Sequence, residues 1–551
     1  MPESLTKIAG GSLYDPASGA AGEVRDLWLL GGKVVAAPAD PAVQPARTID
    51  ARGLVVMPGG VDMHCHIAGA KPNAARLISP GARQGDAAVL RRSPRTRSGT
   101  LGAVPSTFAT GYKYAALGYT TAFDAAVAPL GARHAHHELA DTPCLDKGLF
   151  VLVGNNHYAM QCIAERDRAH LNMFLAWLLQ AAGAYALKIV NPGGVEAWKH
   201  SPAAYGHGLD DPVPGFDVTP RQIVREIVAA AHELELPHPA HIHCNQLGMP
   251  GNWRTTLETM RAVEGQRAHF THIQFHSYGG GGEDERSMCS RVADLADYVN
   301  AHPNITVDVG QVTFGPAMAM TGDSPAGYFL HRLYGGPWFN CDIECESGCG
   351  VAPIVYRRKS VVHALQWAIG LEWYLLVRNP WQVMMSTDHP NGGSFLAYPQ
   401  IIRLLMDREY RRAQLALCPP AVRNRTVLAE LDRQYTLDEI AIITRSGPAR
   451  ALGLQQKGRL DPGADADVTL YLPNDDRQAM FSLPRMVLKG GEVVVDGGEI
   501  RATPQGTTLA TARPYDRERL PRLREWFEQH YSLRFANYGA QTVMPAVGDP
   551  A

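Results

Sequence analysis

Five short stretches of this sequence carry residues that could do chemistry together. The first, Val55-Val-Met-Pro-Gly-Gly-Val-Asp-Met-His64-Cys-His66, is an apolar run ending in His-x-His. Residues two apart on a strand face the same way, so both imidazoles can reach one metal ion. The second centres on Lys188, a single lysine inside the apolar run Ala184-Tyr-Ala-Leu-Lys188-Ile-Val. Burying an ammonium group is costly and lowers its pKa. A neutral lysine amine can take up carbon dioxide as a carbamate whose two oxygens can bridge two metal ions; the plainer reading is a lysine that reaches a buried carboxylate or snorkels outward. The third and fourth stretches are Pro239-Ala-His241-Ile-His243 and Ala268-His-Phe-Thr-His272-Ile-Gln-Phe-His276. His243 and His272 are the favoured ligands there, with His241 and His276 as alternatives. The fifth, Gln382-Val-Met-Met-Ser-Thr-Asp388, places a carboxylate directly after an apolar strand, where it could bind metal and move protons. Taken alone it reads equally well as a turn or N-cap aspartate.

The elements that must hold these residues are legible from periodicity. The middle of the chain alternates apolar β-rich runs with helical segments, as parallel α/β folds do. Helices are predicted over residues 220–235, 288–302 and 360–376, and strands over 240–243, 268–273, 305–308 and 383–387. In a barrel of eight βα units, active-site residues come from the C-terminal ends of several strands, and one unit takes about 30 residues. His243 and His272 are 29 residues apart, one unit. His66 to Lys188 is 122 residues, three units plus an arginine-rich excursion; Lys188 to His243 is 55, one unit plus a proline-rich loop; His272 to Asp388 is 116, two units plus an insertion. The spacing therefore assigns His64 and His66 to strand 1, Lys188 to strand 4, His243 to strand 5, His272 to strand 6 and Asp388 to strand 8.

Both ends of the chain have a different texture. Short strands and glycine turns fill the first fifty residues, and the same pattern returns after Lys457-Gly-Arg-Leu-Asp-Pro-Gly-Ala-Asp-Ala-Asp467. The ends therefore read as one small β unit interrupted by everything between them. The expected division is one part of that β unit at 1–57, a (β/α)8 TIM barrel at 58–449, its second part at 450–510, and a C-terminal helix and tail at 511–551. A net charge of −2 gives no pull toward nucleic acid or anionic membrane. Nine scattered cysteines and an N-terminus without a signal-peptide pattern point to a cytoplasmic protein. Cys341, Cys345 and Cys349 lack the Cys-x-x-Cys spacing of a metal cluster and are expected to be thiols.

The strand assignment resembles the amidohydrolase superfamily, and the resemblance covers nearly the whole chain. Several runs are more particular: His64-Cys-His-Ile-Ala-Gly, Lys188-Ile-Val-Asn-Pro-Gly-Gly, His243-Cys-Asn-Gln-Leu-Gly, His272-Ile-Gln-Phe-His-Ser-Tyr-Gly-Gly and Cys341-Asp-Ile-Glu-Cys-Glu-Ser-Gly-Cys. They resemble the A-subunit family of formylmethanofuran dehydrogenase, to which the corresponding subunits of formyltransferase/hydrolase complexes belong. The resemblance implies a split β-sandwich built from the two ends. It also implies two zinc ions bridged by N6-carboxylysine at Lys188, one held by His64, His66 and Asp388 and the other by His243 and His272. The implied reaction is hydrolysis of an N-formyl amide on a furan cofactor to formate and free amine, with Asp388 moving the proton. The implied partners are the other subunits of such a complex and a formylated furan cofactor with a polyglutamate-type tail. Arg83, Arg91, Arg92, Arg95 and Arg97 follow strand 1 and could hold that tail near the barrel mouth. A cyclic-amide hydrolase of the hydantoinase type and a non-catalytic scaffold protein are the competing readings.

Overall fold

Eight parallel strands, met in chain order, form the core: β1 (Gly60–Cys65), β2 (Tyr119–Val127), β3 (Asp146–Leu152), β4 (Ala186–Val190), β5 (His241–His243), β6 (Ala268–Phe270), β7 (Ile305–Asp308) and β8 (Val383–Met384). Each pairs with its sequence neighbour. The ring closes just past the strand ends, where Cys65 bridges His389 in parallel and the His66 amide donates to the His389 carbonyl at 2.7 Å. These facts come from a computed structural model that describes residues 4–79, 89–201, 206–281, 287–341 and 344–540. A helix lies between each consecutive pair of strands, so the right-handed βα crossover repeats around the ring. The strands are buried on both sides and therefore read as apolar runs rather than alternating ones.

The predicted helices fall at Pro220–Glu233, Val292–Ala301 and Val361–Leu376. Two of these starts follow from local chemistry. Thr219 forms a capping box with Gln222, and the Ser360 hydroxyl accepts the His363 amide.

The two chain ends meet in one nine-stranded sheet. Val55–Pro58 pairs antiparallel with Val468–Tyr471, joining the N-terminal strands, including Thr6–Asp15 and Ala20–Leu30, to Met486–Lys489 and Glu492–Asp496. Ile8, Leu13, Leu29, Val56, Val468 and Leu488 give this sheet a core of its own. It is fastened to the start of β3 by a buried ionic knot. Lys457 pairs with Asp146 and, at 2.9 Å, with Asp467; Lys489 reaches Asp146 at 2.7 Å and Asp467 at 3.1 Å. After the sheet, Leu520–His530 is the C-terminal helix. Among the described residues, no helix is long and apolar enough to cross a membrane.

Two excursions interrupt the βα rhythm. Between β7 and β8, strands Gly315–Thr321, Phe339–Cys341 and Cys349–Tyr356 form a small sheet with the helix Ser324–Tyr334. This insertion stands over the C-terminal end of the barrel. Between β1 and β2, the arginine-rich stretch runs a different way from that expected. Arg83 lies outside the described residues. Leu90 packs with Tyr112, Cys144, Val487 and Val494, and Arg97 pairs with Asp141 at 3.0 Å over the face of Phe108. Asp141 and Cys144 lead into β3, so this stretch covers the N-terminal side of the barrel. None of Arg91, Arg92, Arg95 or Arg97 lines the mouth cavity. Aromatic and aliphatic anchors toward the sheet, rather than charge, set its course.

All nine cysteines are thiols with no disulfide between them. Cys341 and Cys349 face each other across an antiparallel pair, and Cys345 points elsewhere, toward the His530 carbonyl.

Candidate metal centre

His64, His66, Lys188, His243, His272 and Asp388, drawn from five strands, line one cavity of about 90 Å³ at the C-terminal end of the barrel. All six are buried. His64 lies near the end of β1 and His66 directly follows it, Lys188 lies within β4, and His243 ends β5. His272 and Asp388 sit two and four residues past β6 and β8. Both take left-handed backbone angles, φ 34° and 51°, which turn their side chains back over the barrel axis. Such angles strain a residue with a Cβ and persist where the surroundings enforce them. At His272 the neighbour that permits the turn is Gly310: a Cβ at that position would lie 2.4 Å from the His272 Cβ, so only glycine leaves room.

The donor atoms fall into two groups. His64, His66 and Asp388 each aim one ligand atom into a common space, all within 4.8 Å of one another; His243, His272 and His276 do the same. In the first group, the Nε2 atoms of both His64 and His66 lie 3.0 Å from Asp388 Oδ1, where Asn391 Nδ2 also donates at 2.8 Å. The His64 contact is off the line of a hydrogen bond, so that nitrogen makes none. Among the described residues, Lys188 Nζ and His272 Nδ1 have no hydrogen-bond partner either, and His243 Nε2 makes no hydrogen bond although Asp323 Oδ2 lies 3.3 Å away. Buried polar atoms are otherwise almost always satisfied, and an unmade bond costs about 1–3 kcal/mol. Four orphaned nitrogens converging on one cavity are what a pair of cations would satisfy, and imidazole, carboxylate and amine-derived oxygen are donors that zinc and its neighbours accept.

Electrostatics favours the same arrangement. Burial lowers Lys188 to about 7, against a partial pull upward from Asp308 and Asp388, so much of the amine is neutral at neutral pH. Burial alone would raise Asp388, but His272 and His64 outweigh it and hold the carboxyl well below the usual range.

Behind the donors lies a second layer that the sequence motifs do not reveal. Asp308, at the end of β7, is fully buried and receives bonds at both oxygens. Oδ1 accepts from the His272 amide at 3.0 Å and the Ser386 hydroxyl at 2.7 Å; Oδ2 accepts from His269 Nε2 at 3.0 Å and lies 3.3 Å from His64 Nδ1. It thus holds the rear nitrogen of one candidate ligand and the backbone of another. His241 belongs to this layer. Its Nε2 lies 2.9 Å from His64 Nδ1 and its Nδ1 3.0 Å from His238 Nε2, so both ring nitrogens are engaged within the barrel core. His243, two residues on, is the one at the rim. Asp124 accepts the Ile67 and Ala68 amides at 2.8 and 2.9 Å and fixes the loop behind His66.

Asp323, in the insertion, approaches from above. Its Oδ2 is 3.3 Å from His243 Nε2, while Oδ1 accepts from Asn191 Nδ2 at 3.0 Å and caps the helix Ser324–Tyr334. Asp308 carried the same signal as Asp388, a carboxylate closing an apolar strand. Asp323 carried none, because an N-cap aspartate in an insertion looks like any other. The cavity walls above the donors are apolar: Phe275, Met288, Phe329, Leu330 and Ile354.

A barrel with imidazoles and a carboxylate at the C-terminal ends of strands 1, 5, 6 and 8 and a buried lysine on strand 4 fits one class of protein. The amidohydrolase family matches residues 47–495, and the chain belongs to that family. It is 42% identical to Protein FwdA of Methanocaldococcus jannaschii over 96% of either chain. It is 40% identical to the A component of the formyltransferase/hydrolase complex Fhc of Methylorubrum extorquens, over 92% of this chain and 91% of the relative. A chain in the crystal structure of the FhcABCD complex of that organism with methylofuran superposes with a TM-score of 0.91 at 37% identity, covering 98% of this chain and 97% of that one. Likeness to the dihydropyrimidinase of Brevibacillus agri, 13% identical with a TM-score of 0.52 over 93% of this chain and all of that one, concerns the fold.

Proposed function

We propose that this chain hydrolyses an N-formyl amide carried on a furan-type amine cofactor, giving formate and the amine, as the hydrolase component of a cytoplasmic formyltransferase/hydrolase complex. In this reading His64, His66 and Asp388 would hold one zinc ion and His243 and His272 a second, and Lys188 would carry a carboxyl group able to serve both. The observation that carries the reading is the convergence, among the described residues, of four buried nitrogens that make no hydrogen bond and a carboxylate in one apolar-walled cavity. Support for the substrate and partners comes from the likeness, over nearly the full length, to one component of a complex solved with methylofuran.

Bound divalent ions supply acidified water and a polarised carbonyl. The chain's residues do the rest. Asp388 is ionised at neutral pH, and its Oδ1 is tied to Asn391 and to His66 Nε2, so its second oxygen takes the proton that water loses on attacking the formyl carbon. The same carboxyl then gives that proton to the amide nitrogen. The C–N bond breaks and the amine leaves neutral, rather than as an anion. Phe275, Phe329 and Leu330 keep bulk water out and offer a flat apolar ring a place to lie.

The test uses the protein purified with its partner subunits. Elemental analysis should find two zinc ions per chain, and native mass spectrometry one added carbon dioxide on Lys188. Formate should be released from an N-formyl aminomethylfuran, with no ring opening of hydantoin. Two metal ions with hydantoin as the better substrate would overturn the substrate assignment; a metal-free, inactive complex would overturn the whole reading.

A further inference from the structure

The sequence His272-Ile-Gln-Phe-His276 places two histidines four residues apart across a single tight turn. In the structure, residues Ile273–His276 form a one-turn 3-10 helix directly after β6, and this turn brings the second imidazole back beside the first. The His276 ring is completely buried, and neither of its nitrogens has a hydrogen-bond partner among the described residues. That is unusual for an imidazole: each orphaned atom costs about 1–3 kcal/mol unless something outside the protein satisfies it. One nitrogen of His276 and one each of His243 and His272 lie within 4.8 Å of one another; His272 Nδ1 also lacks a hydrogen bond, and His243 Nε2 makes none although Asp323 Oδ2 lies 3.3 Å away.

Ring geometry gives a second measure. Three imidazoles around a tetrahedral zinc with Zn–N of about 2.05 Å place their ring centroids about 5.2 Å apart. The observed separations are 4.6 Å for His243–His272, 5.1 Å for His243–His276 and 5.4 Å for His272–His276. The triangle is already of the right size for a shared ion.

From this geometry we infer that His276 is a third imidazole ligand of the ion beside His243 and His272. The inference rests on the metal site of the proposed function and adds a donor to it. Its chemical consequence is that this ion has three protein nitrogens of its own, the number that holds a zinc with one open position. It then does not depend on Lys188 for its place.

Zinc affinity is measured on the metal-stripped complex by competition with a chromophoric chelator, for wild type, His276→Gln and Lys188→Met. Wild type should bind two ions. His276→Gln should weaken one of them more than about 10-fold, and Lys188→Met should keep one ion at close to wild-type affinity. A crystal structure of the zinc-loaded wild type reads the same point without a variant: a His276 nitrogen should lie about 2.1 Å from an ion. Two ions in wild type with His276→Gln unchanged, or a His276 ring beyond about 3 Å from either ion, would overturn this inference and leave the proposed function standing. No ion in wild type would overturn both.

Discussion

Replacing Asp308 by asparagine tests whether the layer behind the donors sets metal affinity. The change keeps the shape of the side chain and removes its charge and half of its acceptor capacity. The amide oxygen can keep the His272 amide and the Ser386 hydroxyl, the two donors now at Oδ1. The amide NH2 then takes the place of Oδ2, between His269 Nε2 and His64 Nδ1. There it is a donor where an acceptor stood. His64 responds through its tautomer. To bind metal at Nε2, the ring must carry its hydrogen on Nδ1 and donate backward; an NH2 group behind it favours the opposite tautomer. Losing such a rear partner costs about 10- to 100-fold in metal affinity, or about 1.4–2.7 kcal/mol. Chelator competition on the stripped protein reads this directly, and urea unfolding of the metal-free form separates it from a general loss of fold. A zinc affinity within about threefold of wild type, in a variant that folds normally, would refute the argument.

Two further outcomes follow from the site and its support. Asp388→Asn, assayed at saturating metal, should lower formate release by about 10²- to 10⁴-fold, the share of a general acid–base; turnover close to wild type would remove Asp388 from proton transfer. Lys457→Met leaves Asp146, Asp465 and Asp467 with one ammonium fewer in a dry setting and should cost about 3–5 kcal/mol in urea unfolding. The folded pKa values of Asp146 and Asp467 are held below the ordinary 3.8 and that of Lys457 above 10.5, each against the pull of burial. The knot is therefore fully stabilising from about pH 4 to about pH 10, and its carboxylate contribution is lost as pH falls through the depressed values. The cost of Lys457→Met should be the same at pH 6 and pH 8 and shrink below about pH 3.8.

What could be read in the sequence followed from repetition and position. Strand-end histidines recur at intervals that fit whole βα units, so the strand numbers of His64, Lys188, His243, His272 and Asp388 agree with the observed order. The choice between His241 and His243 needed depth along the barrel axis: both face inward, and only the structure shows that His241 is spent on His238 and His64. The choice between His272 and His276 dissolved, because a 3-10 turn brings both to the same space. Asp308 was hidden by its ordinariness, since many strands close on an aspartate. The arginine-rich stretch misled because charge says that a loop is wet, and not which end of a barrel it covers; Leu90 and Phe108 decided that.

The closure of the ring has a bearing on how the protein comes into being. His66 and Asp388 are separated by 322 residues, and the sheet that braces β1 takes strands from beyond residue 468. An emerging chain therefore exposes β1 and its histidines long before their counterparts exist, and such distant pairings are slow to find. The cavity that gathers His64, His66, Lys188, His243, His272 and Asp388 can therefore be completed only after most of the polypeptide has left the ribosome.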